Sequence, residues 1–476
     1  MKKICVLGLG YIGLPTAAMF ATHGFQVVGV DINQRVVEML NNGEVHIHEP
    51  GLKALVQAAL KNGNLYVACQ PEPADVFIIA VPTPLCEGTK EQRSRGEGEN
   101  VSLPKKQADL SYVIAAAKSI VPYLRGGNLV VLESTVPPRT TVDVLAPLLE
   151  RSGLKVSSGA EEQKGGGEFT SASSPPSTSV PLLYLAYCPE RVLPGRILEE
   201  LVYNDRVIGG VDRASAEMAK TLYASFVKGQ IFLTDATTAE MVKLMENTYR
   251  DVNIALANEF ALVAEKLGID IWEAIELANR HPRVNILKPG PGVGGHCIAV
   301  DPWFIVQVVP EVTPLIQTAR RVNDGMPAHV VKLVKRALAE QRKWRAEEQM
   351  SKEAEEHLRT SAPMPPCIAC LGLAYKADVD DIRESPAIKV VELLRAEGFE
   401  VRAYDPHVPM GTVPGQVDSL EAAVDGADVV VVLTDHSEFR QLDLEVIKGS
   451  EDRQVIDTRN VFQLQNVHRR GRNNFQ

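Results

Sequence analysis

Residues 1–31 read MKKICVLGLGYIGLPTAAMFATHGFQVVGVD, and this stretch decides the fold. Met1-Lys-Lys-Ile-Cys-Val-Leu is a β-like apolar run, followed by Gly8-Leu-Gly10-Tyr11-Ile12-Gly13 and a helix-compatible segment ending near His23. In that context the three glycines have distinct work. Gly8 makes the tight turn, Gly10 lets a pyrophosphate approach the backbone, and Gly13 allows helix and strand to pack closely, with the helix N-terminus facing the phosphates. A second run, Phe25-Gln-Val-Val-Gly-Val, ends at Asp31, where an acid accepts both ribose hydroxyls of NAD and repels the 2′-phosphate of NADP. NAD is the expected cofactor.

Working outward, strand signals recur at Val76-Phe-Ile-Ile-Ala-Val, Leu129-Val-Val-Leu and Leu182-Leu-Tyr-Leu-Ala-Tyr, with helical text such as 110–124 between them. This alternation predicts a parallel, doubly wound sheet. Residues 86–107 and 157–179 break the rhythm with charged, Gly-, Ser- and Pro-rich text and read as surface loops. From Thr238 to Gly268 a long helix is predicted, apolar on most sides, hence a buried spine and a dimer interface. Residues 340–366 read as a linker or helix extension. A βαβ pattern then returns from Ile368 through a helix at 387–397, Val401-Arg-Ala-Tyr, a helix near 420–424 and Val429-Val-Val-Val-Leu, without a full glycine fingerprint. The expected class is therefore α/β, with two Rossmann-like doubly wound parallel-sheet domains joined by a central long helix. The expected divisions are 1–232, 233–335 and 336–476.

With 476 residues, 45% hydrophobic, the chain is long enough for two or three well-buried domains. A formal net charge of −10 argues against a nucleic-acid partner, and the basic cluster His468-Arg-Arg-Gly-Arg reads as a solvated tail. No run of eighteen apolar residues implies a membrane span, and Lys2-Lys3 precede no small-residue cleavage site, so a cytoplasmic location is expected. Seven cysteines, an odd number in a large chain, argue against a disulfide framework. Cys367 and Cys370 form a CxxC inside an apolar run, better read as a buried strand than as zinc or redox chemistry, and no metal is expected.

The chemistry concentrates at 290–301, Gly-Pro-Gly-Val-Gly-Gly-His-Cys-Ile-Ala-Val-Asp, which delivers Cys297 and, four residues on, Asp301. Glycines permit positive φ and close approach to a substrate. A partly exposed thiol among oriented amides can act as a nucleophile. Alone, the stretch also reads as a turn with a buried Cys. Lys243 and Asn247, four apart on the predicted helix, share a face and could donate to a developing oxyanion, or form a solvated face. Glu190, in Cys188-Pro-Glu-Arg-Val-Leu-Pro-Gly195, and Thr135, in Glu133-Ser-Thr-Val-Pro-Pro138, follow strands at the ligand edge of such a sheet, or cap turns.

The set Gly8/Gly10/Gly13, Val81-Pro82-Thr83-Pro84, Glu133-Ser-Thr135, Pro189-Glu190-Arg191, Lys243-x-x-x-Asn247, Gly294-Gly-His-Cys297 with Asp301, and Gly372-Leu-Ala-Tyr-Lys376 resembles the UDP-glucose/UDP-N-acetylmannosamine dehydrogenase family over nearly the whole chain. The resemblance implies oxidation of the C6 alcohol of a UDP-sugar to a carboxylate, with two NAD and one water consumed. It implies Cys297 as the nucleophile forming a thiohemiacetal and then a thioester, Glu190 assisting hydrolysis, Lys243 and Asn247 at the oxyanions, and Asp301 with Thr135 managing a water. It further implies that Tyr11, Ile12, Pro82, Thr83 and Arg383 meet the cofactor, that Arg191, Gly294, Lys376 and Arg459 meet the UDP-sugar, and that the central helix forms a homodimer. Val300 stands where UDP-glucose enzymes carry a lysine, so the wording is similar to the UDP-N-acetylhexosamine branch. Within that branch, Pro189–Gly195 with Asn204-Asp-Arg-Val-Ile-Gly-Gly210 is closest to the N-acetyl-D-mannosamine enzymes, with UDP-N-acetylglucosamine as the alternative sugar. A single-hydride β-hydroxyacid dehydrogenase would need neither Cys297 nor a second α/β domain. An inactive nucleotide-sugar sensor would lack the catalytic groups that this chain retains.

Overall fold

The computed structural model describes residues 2–87, 106–158, 182–352 (side chains to 344), 365–442, 447, 449 and 453–462. In chain order the elements are β1 (Lys3–Leu7), α1 (Gly13–Thr22), β2 (Gln26–Val30), α2 (Gln34–Asn41), α3 (Leu52–Lys61), β3 (Leu65–Ala68), β4 (Val76–Ile79), β5 (Leu85–Glu87), β6 (Lys106–Ala108), α4 (Ser111–Ile120), β7 (Leu129–Leu132), α5 (Ala146–Leu149), β8 (Lys155–Val156) and β9 (Leu182–Tyr187). They continue with α6 (Ile197–Tyr203), β10 (Arg206–Gly210), α7 (Arg213–Tyr223), β11 (Ile231–Asp235), α8 (Ala236–Leu267), α9 (Ile271–Ala278), α10 (Asp301–Val308), α11 (Pro314–Lys352), β12 (Cys367–Leu371), α12 (Pro386–Ala396), β13 (Glu400–Tyr404), α13 (Leu420–Val424), β14 (Val429–Val432) and β15 (Gln454–Asp457). The chain divides into two compact units, Met1–Glu246 with Trp303–Pro310, and Asn247–Pro302 with Glu311–Gln476.

The first unit is built on a sheet ordered β11-β10-β9-β7-β4-β1-β2-β3. Both neighbours of β1 run parallel to it, with Leu7 level with Val30 on one side and Ile79 on the other. The ends of three strands therefore deliver Gly8, Asp31 and Ala80 to one edge. Alternation along β1 supplies both faces of the core: Ile4 and Val6 pack with Leu14, Ala17 and Phe20 of α1, while Cys5 and Leu7 pack with Phe77 and Ala117. Two strands depart from the expected parallel order. β10 pairs antiparallel with β9, and β11 follows β10 in parallel, so the far edge of the sheet is reversed.

In the second unit, β13-β12-β14-β15 form a wholly parallel sheet. Val330, Leu333, Val334 and Ala337 of α11 cover one face with α12, and Ala423, Phe439 and Ile447 cover the other. The Cys367/Cys370 run is β12 itself, buried, and burial pushes the Cys370 thiol up to about 12. No disulfide joins the seven cysteines. Helices α8 and α11 are tied by a buried ion pair, Arg320 Nη1 to Asp251 Oδ1 at 2.5 Å, with Asn323 Nδ2 donating to the same carboxylate at 2.8 Å.

The long helix is confirmed as α8, 32 residues and hence about 48 Å, but it is not buried on most sides. Met245, Tyr249, Leu256, Phe260, Val263 and Leu267 form an exposed apolar stripe at three-, four- and seven-residue spacing. Its apolar residues serve two faces, and among the described residues only one is covered. The expected loop at 86–107 begins and ends in the antiparallel pair β5–β6, while 88–105 lie outside the described residues. Most of the loop at 157–179 and the basic cluster at 468–472 also lie outside them. Residues 340–352 continue α11, and 353–364 are not described. Among the described residues, no helix is long and apolar enough to cross a membrane.

Candidate functional site

The glycine turn after β1 has the geometry a dinucleotide requires. Gly8 sits at φ 89°, and a Cβ there would lie 2.5 Å from the Ala80 carbonyl oxygen. A Cβ on Gly13 would lie 1.8 Å from the Gly8 carbonyl oxygen. Nothing lies within 4 Å of a Cβ at Gly10, so this position faces open space. No side chain caps the N-terminus of α1 at Ile12, and Tyr11 beside it is exposed. Asp31 is anchored by the Leu9 N–H on Oδ2 at 3.0 Å and the Asn33 N–H on Oδ1 at 2.9 Å. Facing loops are stitched together: Thr83 Oγ1 donates to the Thr135 carbonyl at 2.6 Å, and Ser134 Oγ donates to the Val81 carbonyl at 2.7 Å. Pro82 is exposed beside them. An anion at an uncapped helix N-terminus, a glycine with free space before it and a held carboxylate fit NAD.

Also in the first unit, Glu190 follows β9 and is buried. Its Oε1 accepts from the Arg191 N–H at 2.5 Å, and its Oε2 lies 3.5 Å from Arg206 Nη2 on β10. Arg191 turns away to Glu246 at 2.6 Å. Beyond Arg206 lies a second buried carboxylate, Glu133, whose Oε1 accepts from the Tyr223 hydroxyl at 2.6 Å. Burial above all pushes Glu133 up to about 7, with Arg206 opposing and Glu190 adding to the rise. The far end of the Glu190 loop is held by buried Glu49, which accepts from the Gly195 and Ile197 N–H groups at 2.7 Å each. Lys243 is half-buried on α8.

In the second unit, the carbonyl of Cys297 accepts from the Val300 and Asp301 N–H groups at 3.0 and 2.8 Å, so the thiol-bearing residue forms the turn that leads into α10. Cys297 is exposed, whereas Asp301 is buried. Asn247 Nδ2 donates to Asp301 Oδ2 at 2.6 Å. These three expected residues are thus brought together.

The glycines before Cys297 serve packing within the unit, a reason different from the substrate approach expected of them. A Cβ on Gly294 would meet the Tyr375 Cβ at 2.6 Å, one on Gly295 the Tyr375 ring at 2.9 Å, and one on Gly290 the Arg459 guanidinium at 2.6 Å. The Gly290 N–H donates to Asn258 Oδ1 at 2.9 Å, and Asn258 Nδ2 donates to Asn323 Oδ1 at 2.9 Å, so α8 and α11 fix the loop. Arg459 grips Asp435 through Nε and Nη2 at 3.1 and 2.9 Å. Arg383 chelates Asp381, its Nη2 2.6 Å from Oδ2, and Lys376 is exposed. Burial, then Arg383, holds the His296 imidazole below its ordinary range.

Asp378, His407, His436 and Glu438 also cluster in this unit. Both ring nitrogens of His436 are engaged, Nδ1 by the Asp378 N–H at 2.9 Å and Nε2 by Asp405 at 3.0 Å. The group is internally bonded.

Glu49, Glu133, Arg206, Asn258, Asn323 and Tyr375 were not among the expected site residues. Local text offered a sign for three of them, since Glu133 stands in Glu133-Ser-Thr135, Arg206 in Asn204-Asp-Arg-Val and Tyr375 in Gly372-Leu-Ala-Tyr-Lys376.

Comparison with known proteins agrees with this arrangement along the chain. Models of the UDP-glucose/GDP-mannose dehydrogenase family match its NAD binding domain at residues 2–227, its central domain at 237–325 and its UDP binding domain at 369–464. A UDP-N-acetyl-D-mannosamine dehydrogenase of Methanocaldococcus jannaschii is 49% identical over 97% of this chain and 93% of its own length. An NDP-N-acetyl-D-galactosaminuronic acid dehydrogenase of Ralstonia solanacearum is 44% identical over 97% and 96%. The solved UDP-D-ManNAc dehydrogenase of Pyrococcus horikoshii superposes with a TM-score of 0.79 at 43% identity, covering 99% of each chain. With the NAD-binding turn in place and all three family regions matched in order, the chain belongs to the UDP-glucose/GDP-mannose dehydrogenase family and is an NAD-dependent nucleotide-sugar dehydrogenase.

Proposed function

We propose that the protein oxidises the C6 alcohol of UDP-N-acetyl-D-mannosamine to the uronate in two oxidations, with the intermediate aldehyde held on Cys297. The observation that carries this reading is Cys297 itself, exposed on the turn into α10 and backed by the Asp301–Asn247 hydrogen bond. The Gly8–Gly13 turn and Asp31, with Tyr11, Ile12, Pro82, Thr83, Thr135 and Arg383, would hold NAD, which would supply the hydride acceptor for each oxidation at C6. Asp301 and Thr135 hold the water that takes the alcohol proton. The Cys297 thiolate adds to the aldehyde carbon, forming a C–S bond, and Lys243 and Asn247 donate to the oxyanion that results. Loss of the second C6 hydrogen leaves a thioester. Glu190 takes a proton from the water that attacks it, the C–S bond breaks, and the thiolate is restored. Arg191, Gly294, Lys376 and Arg459 bind the UDP-sugar in this reading.

The preference for the mannosamine epimer draws on the relatives' names and on the wording of Pro189–Gly195 with Asn204–Gly210, and is tested directly. Incubated with UDP-N-acetyl-D-mannosamine, UDP-N-acetylglucosamine, UDP-N-acetylgalactosamine and UDP-glucose in turn, the protein yields two NADH per sugar, fastest with the first. One NADH per sugar removes the covalent route, and faster turnover of another sugar removes the epimer assignment.

We also propose the threefold division 1–232, 233–335 and 336–476, a cytoplasmic location in keeping with NAD and nucleotide-sugar chemistry, and a homodimer through α8. The exposed stripe from Met245 to Leu267 supports the last of these. Light scattering is expected to give twice the chain mass of 51.9 kDa for the parent and the single mass for Phe260→Glu. A monomeric parent would end the dimer proposal.

A further inference from the structure

Arg206 is a buried guanidinium with two carboxylates for neighbours and no water-facing side. Its Nη2 lies 3.5 Å from Glu190 Oε2, its Nη1 donates to Cys188 Sγ at 3.6 Å, and its plane stands 4.9 Å from the Tyr223 ring centroid. Neither Glu190 Oε2 nor Arg206 Nε has a hydrogen-bond partner among the described residues. The charge on that oxygen is therefore balanced by the guanidinium through space alone. Tyr223 and Thr16 satisfy Glu133 with hydroxyl donors at 2.6 and 3.4 Å, which leaves Arg206 as the cation shared by both acids.

We infer that Arg206 is a positioning residue for the hydrolytic half of the reaction: its guanidinium stands beside Glu190 Oε2 without hydrogen-bonding it, so the carboxylate is held in place by charge and that oxygen stays available for the proton of the attacking water. This rests on the reading of Glu190 given above. The groups facing Glu190 are Arg206 from β10, Glu133 after β7, Tyr223 from α7 and Cys188 from its own loop, with Arg191 diverted to Glu246 of α8. Burial pushes Glu133 up to about 7, so below that pH it carries its proton and makes no claim on Arg206. Burial pulls the Arg206 guanidinium down, but Glu190 and its other neighbours outweigh this and raise it, so it remains charged throughout.

The test follows kcat and KM against pH for the whole protein with UDP-N-acetyl-D-mannosamine and NAD, together with the intact mass after one turnover. In R206Q, the acid limb of kcat moves up by about one pH unit or more, KM stays within about threefold, and a sugar adduct accumulates on Cys297. R206K, which keeps the charge but not the planar fork, falls between R206Q and the parent. E133Q, which replaces an acid that already carries its proton below about pH 7, leaves the acid limb where the parent has it. A folded R206Q with the parent's limb and no adduct overturns the inference, as does an E133Q shift in the same direction as R206Q. Should R206Q not fold, R206K identical to the parent in both limb and adduct is the overturning result. E190Q separates the two levels: parental hydrolysis in E190Q sinks the role of Glu190 itself, whereas adduct in E190Q with none in the Arg206 variants sinks only the role of Arg206.

Discussion

Cys297→Ser folds, binds NAD and UDP-N-acetyl-D-mannosamine, and forms no uronate. The turn into α10 is made by backbone bonds to the Cys297 carbonyl, which serine preserves, and the Asn247–Asp301 bond does not involve the thiol. Only the nucleophile changes. A hydroxyl is far less ionised and less nucleophilic than a thiolate at neutral pH, so net turnover falls by at least about 10³, roughly 4 kcal/mol of barrier. The measurement is two-NADH turnover and product acid, alongside titration of NAD and UDP-sugar binding. Turnover within about tenfold of the parent, only ~1.4 kcal/mol, would exclude a covalent aldehyde on this residue.

The second large effect separates two glycines of one turn. Gly13→Ala places a methyl 1.8 Å from the Gly8 carbonyl oxygen and 3.2 Å from Ala80 Cβ. No rotamer relieves a Cβ clash with backbone, so strand and helix must part, at a cost of about 3 kcal/mol or more. At ~2–4 °C per kcal/mol for a domain of this size, the first unit melts roughly 6–12 °C lower. Gly10→Ala meets nothing within 4 Å, and its φ is not positive. It therefore melts with the parent when no cofactor is present, but it loses at least about tenfold in NAD affinity, or ~1.4 kcal/mol, because the methyl occupies the space through which the phosphates approach. Differential scanning calorimetry and NAD titration read the two effects separately. Equal melting of both variants would mean that the β1–α1 contact is looser than its geometry states.

What could be read ahead of the structure was what lies close along the chain. β1, the glycine turn, α1, β2 and Asp31 fall within 31 residues, and their pattern is locally determined. Asn247 and Asp301 could be listed from motifs, but their bond spans 54 positions and no periodicity announces it. The reversal of β10 was invisible for a similar reason. Arg206-Val-Ile-Gly-Gly has the same apolar text whichever way it runs, and direction depends on how the chain returns from α6. On α8, apolar content was counted correctly and its exposure was not, because hydrophobicity does not say whether a face is covered by the same chain. The Gly290–Gly295 run was read as room for a substrate; the structure adds that it packs closely against Tyr375 and Arg459, both beyond reach of any local window.

That packing has a consequence for how the molecule comes into being on the ribosome. The strands around the NAD turn, β1 to β4, have emerged once the first 79 residues are made. The loop bearing Cys297 completes its packing only with Tyr375 and Arg459, the second of them 162 residues after Cys297 itself has been synthesised (459 minus 297). N-terminal regions fold first during synthesis. A growing chain therefore acquires its dinucleotide fold long before the loop that bears Cys297 is fully packed.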